Sequence, residues 1–442
     1  MKKLTFFLVM LSLAVFTQAQ SYKDIGNKIL LQQYDDAKKD IDKRITNEKF
    51  ASKPDAYILK TAIYAALAAK EGAADKDNLL TEAEAAYAKY KEMDPTLSLV
   101  TDPIYREGVI KLYSALYSKG IEGYKAKTWE PAYADFKKVV DLSDVLIDKK
   151  VLNIEMDTTS VLLAGFTAEN SNHKDDAAKY YTRLANNKVG GEGNEFIYRF
   201  LVLYSYENND MAGFDKYKQL GKELYPNNEY FDYDRTDFAV GLAKDFDTKI
   251  KALNAVLAED PNNYKANVTL AQLIFDTLHA GGDAVKPANA DELESKMVQA
   301  LNKASDLKPE DETVLLVLGD HYITKAEQVN DERAAHVKAM QGRTKPGAKP
   351  SKEDVAKRDE LDKKYGDAFE LARAPYEKAA SLLAAKKASL TARQKQQYRN
   401  VAGYLGDIYN YKKVQASKTS PAEVAKFETE AKKWNDIYDS LR

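Results

Sequence analysis

The chain has 442 residues, 44% of them hydrophobic and 30% charged; 66 basic and 68 acidic side chains leave a formal net charge of −2. That apolar content can bury a sizeable core and excludes wholesale disorder. The near-balance of charge excludes a general attraction to nucleic acid or anionic membrane. With only 12 prolines and 20 glycines, the chain lacks the punctuation of an all-β protein and suits long helices.

Residues 1–19 read as an export signal. Lys2 and Lys3 form a basic start, Leu4 to Phe16 an apolar run, and Thr17-Gln18-Ala19 the small-residue stretch a signal peptidase reads. Cleavage is expected after Ala19. The run is about 13 residues long, short of the ~20 a spanning helix needs, so a retained anchor is the weaker reading. Loss of the two lysines takes the net charge from −2 to −4. No other segment is apolar enough to cross a bilayer, so the mature chain is expected in the periplasm or outside the cell without inserting into a membrane. There is no cysteine, which excludes a lipid-modified cysteine, a thiol nucleophile and a cysteine metal site. A chain this long needs no disulfides to hold its core.

Beyond the signal, apolar residues recur at helical spacing almost throughout. Phe196, Ile197, Phe200, Leu201 and Tyr204 share a face of one helix. Glu207-Asn208-Asn209-Asp210 breaks the pattern, Phe214, Tyr217, Leu220 and Leu224 start a second stripe, and Tyr225-Pro226 ends it. Similar stops stand at Asp94-Pro95, Asp260-Pro261 and Lys308-Pro309. Leu318-Gly319-x-x-Tyr322 and Leu405-Gly406-x-x-Tyr409 are nearly one phrase, with Ala164-Gly165-x-x-Ala168 a weaker copy. Second stripes carry Ala132 with Phe136, Ala177 with Tyr181, and Ala372 with Tyr376.

These phrases, in phase at about 34 residues, resemble the tetratricopeptide repeat. The resemblance covers most of the mature chain. It places units near 20–50, 54–97, 113–146, 158–191, 195–228, 230–263, 264–311, 312–387 and 399–440. The unit at 230–263 is irregular, with Asp237 at a small-residue position and Lys249 at an alanine position. The fold class expected is all-α: an α-solenoid over 20–442, a right-handed superhelix of about nine helical hairpins. Each hairpin completes its neighbour's apolar seam. Hinges are expected near the long connections at 98–112 and 146–158.

Two units are stretched. Ala280 to Ala290 reads as a Gly- and Ala-rich loop. The segment 326–365 reads as a charged helical hairpin projecting from its repeat. Its first helix runs to Gln341, Ser351 caps the second, which continues to Phe369, and Val329, Val337 and Met340 meet Val355, Leu361 and Tyr365. Its tip carries Lys338, Arg343, Lys345, Lys349 and Lys352, with no acid between His336 and Lys352. The first reading of this tip is a solvated turn; as a site it would suit phosphates, lipid headgroups or an acidic partner.

No catalytic pattern emerges. His173, His279, His321 and His336 form no zinc motif, and Glu332 with His336 supplies two ligands at most. Asp232, Asp234 and Asp237 lack the glycine and the final acid of a calcium loop. Ser171-x-x-Lys174 and Ser305-x-x-Lys308 stand without companion motifs. No enzyme activity, cofactor or metal is expected.

The resemblance implies a ligand groove lined by first helices. At matching positions it would present Tyr117, Tyr124, Phe166, Arg199, Leu203, Tyr206, Gln272, Phe275, Asp320, Asp407 and Tyr411. The lysine–asparagine clamp of some relatives is missing: Leu316 with Asp320, and Val268 with Gln272, stand in its places. The expectation is an exported protein–protein interaction scaffold that holds a peptide or protein of the cell envelope and no nucleic acid. The chain is similar in its signal and lysine-rich helices to exported repeat proteins of the Bacteroidota. The alternative is a glycan-binding component of an envelope uptake system, against which stand the missing anchor cysteine and the presence of only two tryptophans, Trp129 and Trp434.

Overall fold

The computed structural model describes residues 21–70, 72, 73, 75–280, 287–343 and 349–441. The expected signal at 1–19 and most of the expected loop at 280–290 lie outside the described residues. Among the described residues the chain is all helical, without a strand, in two compact units that meet in sequence at Asp232 and Tyr233.

The first unit holds α1 (21–30), α2 (Tyr34–Arg44), α3 (Glu48–Ala51), α4 (Pro54–Ala68), α5 (Lys76–Met93), α6 (Arg106–Lys125), α7 (Trp129–Asp148), α8 (Thr158–Asn170), α9 (Lys174–Asn186), α10 (Glu195–Glu207) and α11 (Met211–Leu224). Long helices pair as consecutive hairpins, and each hairpin packs on the next in chain order. The hairpin expected from 113 begins earlier, at Arg106, because the polar start of α6 carries its own buried stripe of Val109 and Leu112. Much of the connection expected at 98–112 is therefore helix.

Four of these hairpins turn in the same way. Gln32, Lys127, Asn172 and Asn209 take φ values of 58°, 57°, 65° and 57°. The next residue's N–H reaches back five residues, as in Thr128 N to Gly123 O at 2.9 Å, His173 N to Ala168 O at 2.8 Å and Asp210 N to Ser205 O at 2.8 Å. This left-handed closure satisfies carbonyls that the ending helix leaves unpaired.

The second unit holds α12 (Arg235–Leu242), α13 (Phe246–Glu259), α14 (Tyr264–Leu278), α15 (Ala290–Leu307), α16 (Glu312–Arg343), α17 (Lys352–Ala385), α18 (Ala392–Thr419) and α19 (Pro421–Ser440), again stacked as hairpins in chain order. The irregular pair α12–α13 is short and held by caps. Asp234 and Asp245 each accept from the backbone three residues on, with Asp237 and Thr248 answering reciprocally. Asp237 thus serves the cap, which explains an acid where a small residue was expected.

Stops between hairpins are uniform in both units. Asp94, Tyr225, Asp260 and Lys308 have φ between −130° and −134° and ψ between 65° and 85°. Each precedes a proline, whose ring drives its neighbour out of helical backbone. Within hairpins, glycines let a second-helix aromatic close in. A Cβ on Gly165 would lie 2.6 Å from the Tyr181 ring, and one on Gly319 2.2 Å from the Tyr376 ring.

The segment 326–365 is the far end of the α16–α17 hairpin, because both helices run unbroken into the body rather than ending near 326 and 369. Ala326 and Leu361 are buried there, and Val329, Val337, Met340, Val355 and Tyr365 are half-buried. Arg333 Nε donates to Asp362 Oδ1 at 2.7 Å and its guanidinium lies 4.5 Å from the Tyr365 ring centre. Ser351 caps α17 by accepting from Asp354 N at 3.0 Å.

Candidate functional site

In the first unit, three successive hairpins lend rings to one another. Tyr124 on α6 lies 5.7 Å from Phe166 on α8 and 5.9 Å from Trp129 at the start of α7, and Trp129 lies 5.8 Å from Phe166. Phe166 continues to Phe196 on α10 at 6.0 Å, and Tyr181 then links Phe196 at 5.7 Å to Phe200 at 5.0 Å. Tyr204 stacks on Phe200 at 5.9 Å and donates to Asp175 Oδ1 at 2.8 Å. Tyr124, Trp129, Phe166, Phe196, Phe200 and Tyr204 are all half-buried, so each ring packs by one side and leaves part of itself accessible.

The structure brings Tyr124 and Phe166 into ring contact. It adds Trp129, Phe196 and Phe200, which the repeat phrases did not single out as site residues. Tyr117 sits apart, between Tyr113 at 6.0 Å and Phe136 at 5.9 Å, as an edge of the packing. Arg199, Leu203 and Tyr206 share α10 with the ladder. Exposed Arg199 lies 4.8 Å from the Tyr230 ring, Leu203 is half-buried, and Tyr206 lies 6.0 Å from Phe214.

In the second unit the open faces of α16 and α18 border a cavity of about 250 Å³. Asp320, Thr324 and Glu327 recur along α16, and Gln397, Asn400 and Tyr404 along α18, at one-turn spacing. Tyr376 of α17 forms the floor. Its hydroxyl donates to Asp320 Oδ1 at 2.6 Å, and its ring stacks 5.8 Å from Tyr404 at 6°. Burial raises the Asp320 carboxyl above the ordinary carboxylate range against the lowering effect of the Tyr376 hydroxyl, and burial alone raises Asp407. Tyr404 is raised by burial and then by the charges of Glu327, Asp320 and Asp407. Tyr411, two turns beyond Tyr404, donates to Asp362 O at 3.1 Å and meets Tyr365 edge-on at 5.2 Å.

Asp320 thus lines this groove with Glu327 and Tyr404, members the sequence did not mark, whereas Asp407 and Tyr411 stand further along α18 and do not line it. Gln272 and Phe275 stand on α14. Exposed Gln272 donates to Asp276 Oδ1 at 2.7 Å, and Phe275 lies 4.5 Å from the His279 ring.

Lys338, Lys349 and Lys352 of the basic tip are exposed. Lys345 and the side chain of Arg343 lie outside what is described. The faint calcium-loop acids are engaged otherwise: Lys222 pairs with Asp232, and Lys265 with Asp234 and Asp237. His336 Nε2 donates to Asp354 O at 2.9 Å. His279 Nε2 meets His321 Nδ1 at 2.9 Å, and His321 Nε2 meets Glu294 Oε1 at 3.2 Å, a chain joining α14, α15 and α16. Burial lowers the His321 pKa, opposed by Glu294. Among the described residues no group of three or more acids and histidines is placed to hold a metal, and no helix is long and apolar enough to cross a membrane.

No protein-family model matches the chain, and no curated protein matches it in sequence.

Proposed function

We propose that this chain is an exported, non-enzymatic scaffold of the tetratricopeptide-repeat type, holding a peptide or protein of the cell envelope on the open faces of its first helices. The observation that carries this reading is the run of half-buried rings from Tyr124 to Tyr204 across three hairpins. Accessible aromatic surface on a rigid helical frame favours binding, because such rings bury large area at low cost in side-chain entropy. The mechanism is equilibrium association; no bond is made or broken.

The test is a crosslinked pull-down from envelope extracts with the mature protein and a Tyr124→Ala, Phe166→Ala variant. Capture of a protein by the parent and its loss in the folded variant is the expected result. Equal capture by both would contradict the reading. A second reading, a glycan ligand, draws on Trp129 beside Tyr124 and Phe166, since aromatic faces stack on sugar rings. A glycan array separates the two: saturable sugar binding that Trp129→Ala abolishes would replace the protein partner with a carbohydrate.

A further inference from the structure

One cavity lies outside both faces described above. It opens between the second helices α5 and α7, against α6, and has a volume of about 360 Å³. Leu112 and Leu116 of α6 and Leu142 of α7 are at most 3% exposed and give it an apolar bed. Glu84, Tyr87, Ala88 and Lys91 recur along α5, and Lys138, Asp141 and Val145 along α7, at one-turn spacing. Such a volume, with an apolar bed and a few polar groups around it, suits a small molecule.

The charges sort along the cavity. Toward one end Lys138 spans the two helices and holds both Glu84 oxygens, at 2.9 and 2.8 Å, so these two answer each other. Lys91 and Asp141 remain, on opposite walls and of opposite sign, and no ion pair joins them. Lys91 Nζ lies 5.8 Å from the Tyr87 ring centre instead. Neighbouring charges outside the cavity are engaged elsewhere, Arg183 with Asp144 at 2.8 Å and Lys137 toward Asp176 at 4.0 Å. Asp141 is exposed overall, yet the surrounding protein raises its carboxyl above the ordinary range, opposed first by Lys91.

Tyr87 adds a second signal. Its hydroxyl is shut off from solvent and has no hydrogen-bond partner among the described residues. Burial, and then the Asp141 charge, push it up to about 12. Buried hydroxyls are rarely left without a partner, and an acceptor lodged beside Tyr87 would relieve this one.

We infer that the cavity between α5 and α7 binds a free amino acid with an apolar side chain, its carboxylate at Lys91, its ammonium at Asp141 and its side chain on Leu112, Leu116 and Leu142. Charge complementarity selects this class. The lining sums to zero charge, so a ligand of one sign would leave Lys91 or Asp141 facing its own sign or nothing. A wholly apolar ligand would cover both charges and answer neither. A zwitterion with an apolar side chain answers all three features. The site is separate from the first-helix faces and does not rest on the scaffold reading.

The test is isothermal titration calorimetry on the full mature chain with L-leucine, L-phenylalanine, 4-methylpentanoate, which lacks the ammonium, and isoamylamine, which lacks the carboxylate. The expected result is saturable binding of at least one of the amino acids, with both analogues about tenfold weaker or more. Lys91→Met and Asp141→Asn should each weaken binding about tenfold or more. Ala88→Trp should block it by filling the cavity from an exposed position. The control Lys89→Met, on the same helix but outside the cavity, should stay within about twofold. Matching circular dichroism of the variants guards against misfolding.

No binding of either amino acid would overturn the inference. So would analogues that bind as tightly as leucine, or a loss in Lys89→Met equal to that in Lys91→Met. Binding that survives Ala88→Trp would place the amino acid elsewhere and also overturn it.

Discussion

The two units use one construction to present opposite chemistries. In the first, the open faces of α6, α8 and α10 carry rings, and the acid that touches them, Asp175, accepts from a tyrosine at the margin. In the second, Asp320 and Glu327 of α16 share one cavity with Tyr404 of α18. Both rest on the same internal joint, a first-helix glycine against a second-helix tyrosine: Gly165 with Tyr181, Gly319 with Tyr376. In both, that tyrosine's hydroxyl ties back to an acid of its own hairpin, Glu169 at 2.8 Å and Asp320 at 2.6 Å. The joint is thus independent of what the face displays, which leaves the open positions free to differ between hairpins.

Breaking the joint should have the largest effect. In Gly319→Val, the added Cβ alone would stand 2.2 Å from the Tyr376 ring, and overpacking of this kind costs about 3 kcal/mol. Hydrogen exchange should show lost protection in α16–α19 while α6–α11 keep theirs. Uniform loss would contradict the local, neighbour-to-neighbour stacking inferred for the units.

Tyr376→Phe keeps the ring and removes one hydrogen bond to a carboxylate, at a cost of about 1.5 kcal/mol. Its partner experiment is Tyr181→Phe. If denaturant midpoints shift in only one of the pair, the two joints are not equivalent.

The turns sharpen the contrast further. Left-handed non-glycine residues occur at Gln32, Lys127, Asn172 and Asn209 among the hairpin turns of the first unit, whereas the second unit has none among its described residues. Lys127→Gly should therefore raise stability by about 0.5–1 kcal/mol, because glycine meets no Cβ penalty there. A loss of stability would show that the Lys127 side chain matters more than its backbone.

The buried histidine chain distinguishes the second unit by pH. His321 is only 3% exposed, and burial lowers its pKa from the ordinary 6.5. The unfolded chain then binds the proton more readily, so the stabilisation is complete above 6.5 and is lost as pH falls toward the folded value. Denaturation midpoints should decline with acid in this window in the parent, and His321→Asn should flatten that part of the profile. An unchanged slope would assign the acid sensitivity to other groups.

Much of the architecture was legible because its punctuation is local. Prolines 95, 226, 261 and 309 force the preceding residue out of the helix, and the glycine phrases mark the close joints, so hairpin positions followed from nearest neighbours in sequence. The arm was legible as two charged helices around Ser351, but nothing in the sequence marked that α16 and α17 carry them unbroken into the body. The site was half legible. Tyr124 and Phe166 fell at repeat positions, and so did Asp320 and Asp407. Trp129, Phe196 and Phe200 have the spacing of core aromatics, and only their half-burial reveals the ladder. Glu327 and Tyr404 look like ordinary helix residues until α16 and α18 are brought to one cavity, and the pairing of His279 with His321 spans 42 residues.

The most direct test of the scaffold account is site-specific photocrosslinking in envelope extracts, with the reactive group at Leu203 or Asn400 on first helices and at Gln219 or Lys432 on second helices. The account predicts a partner crosslinked from the first-helix positions and none from the second. Crosslinks confined to Gln219 or Lys432 would contradict it.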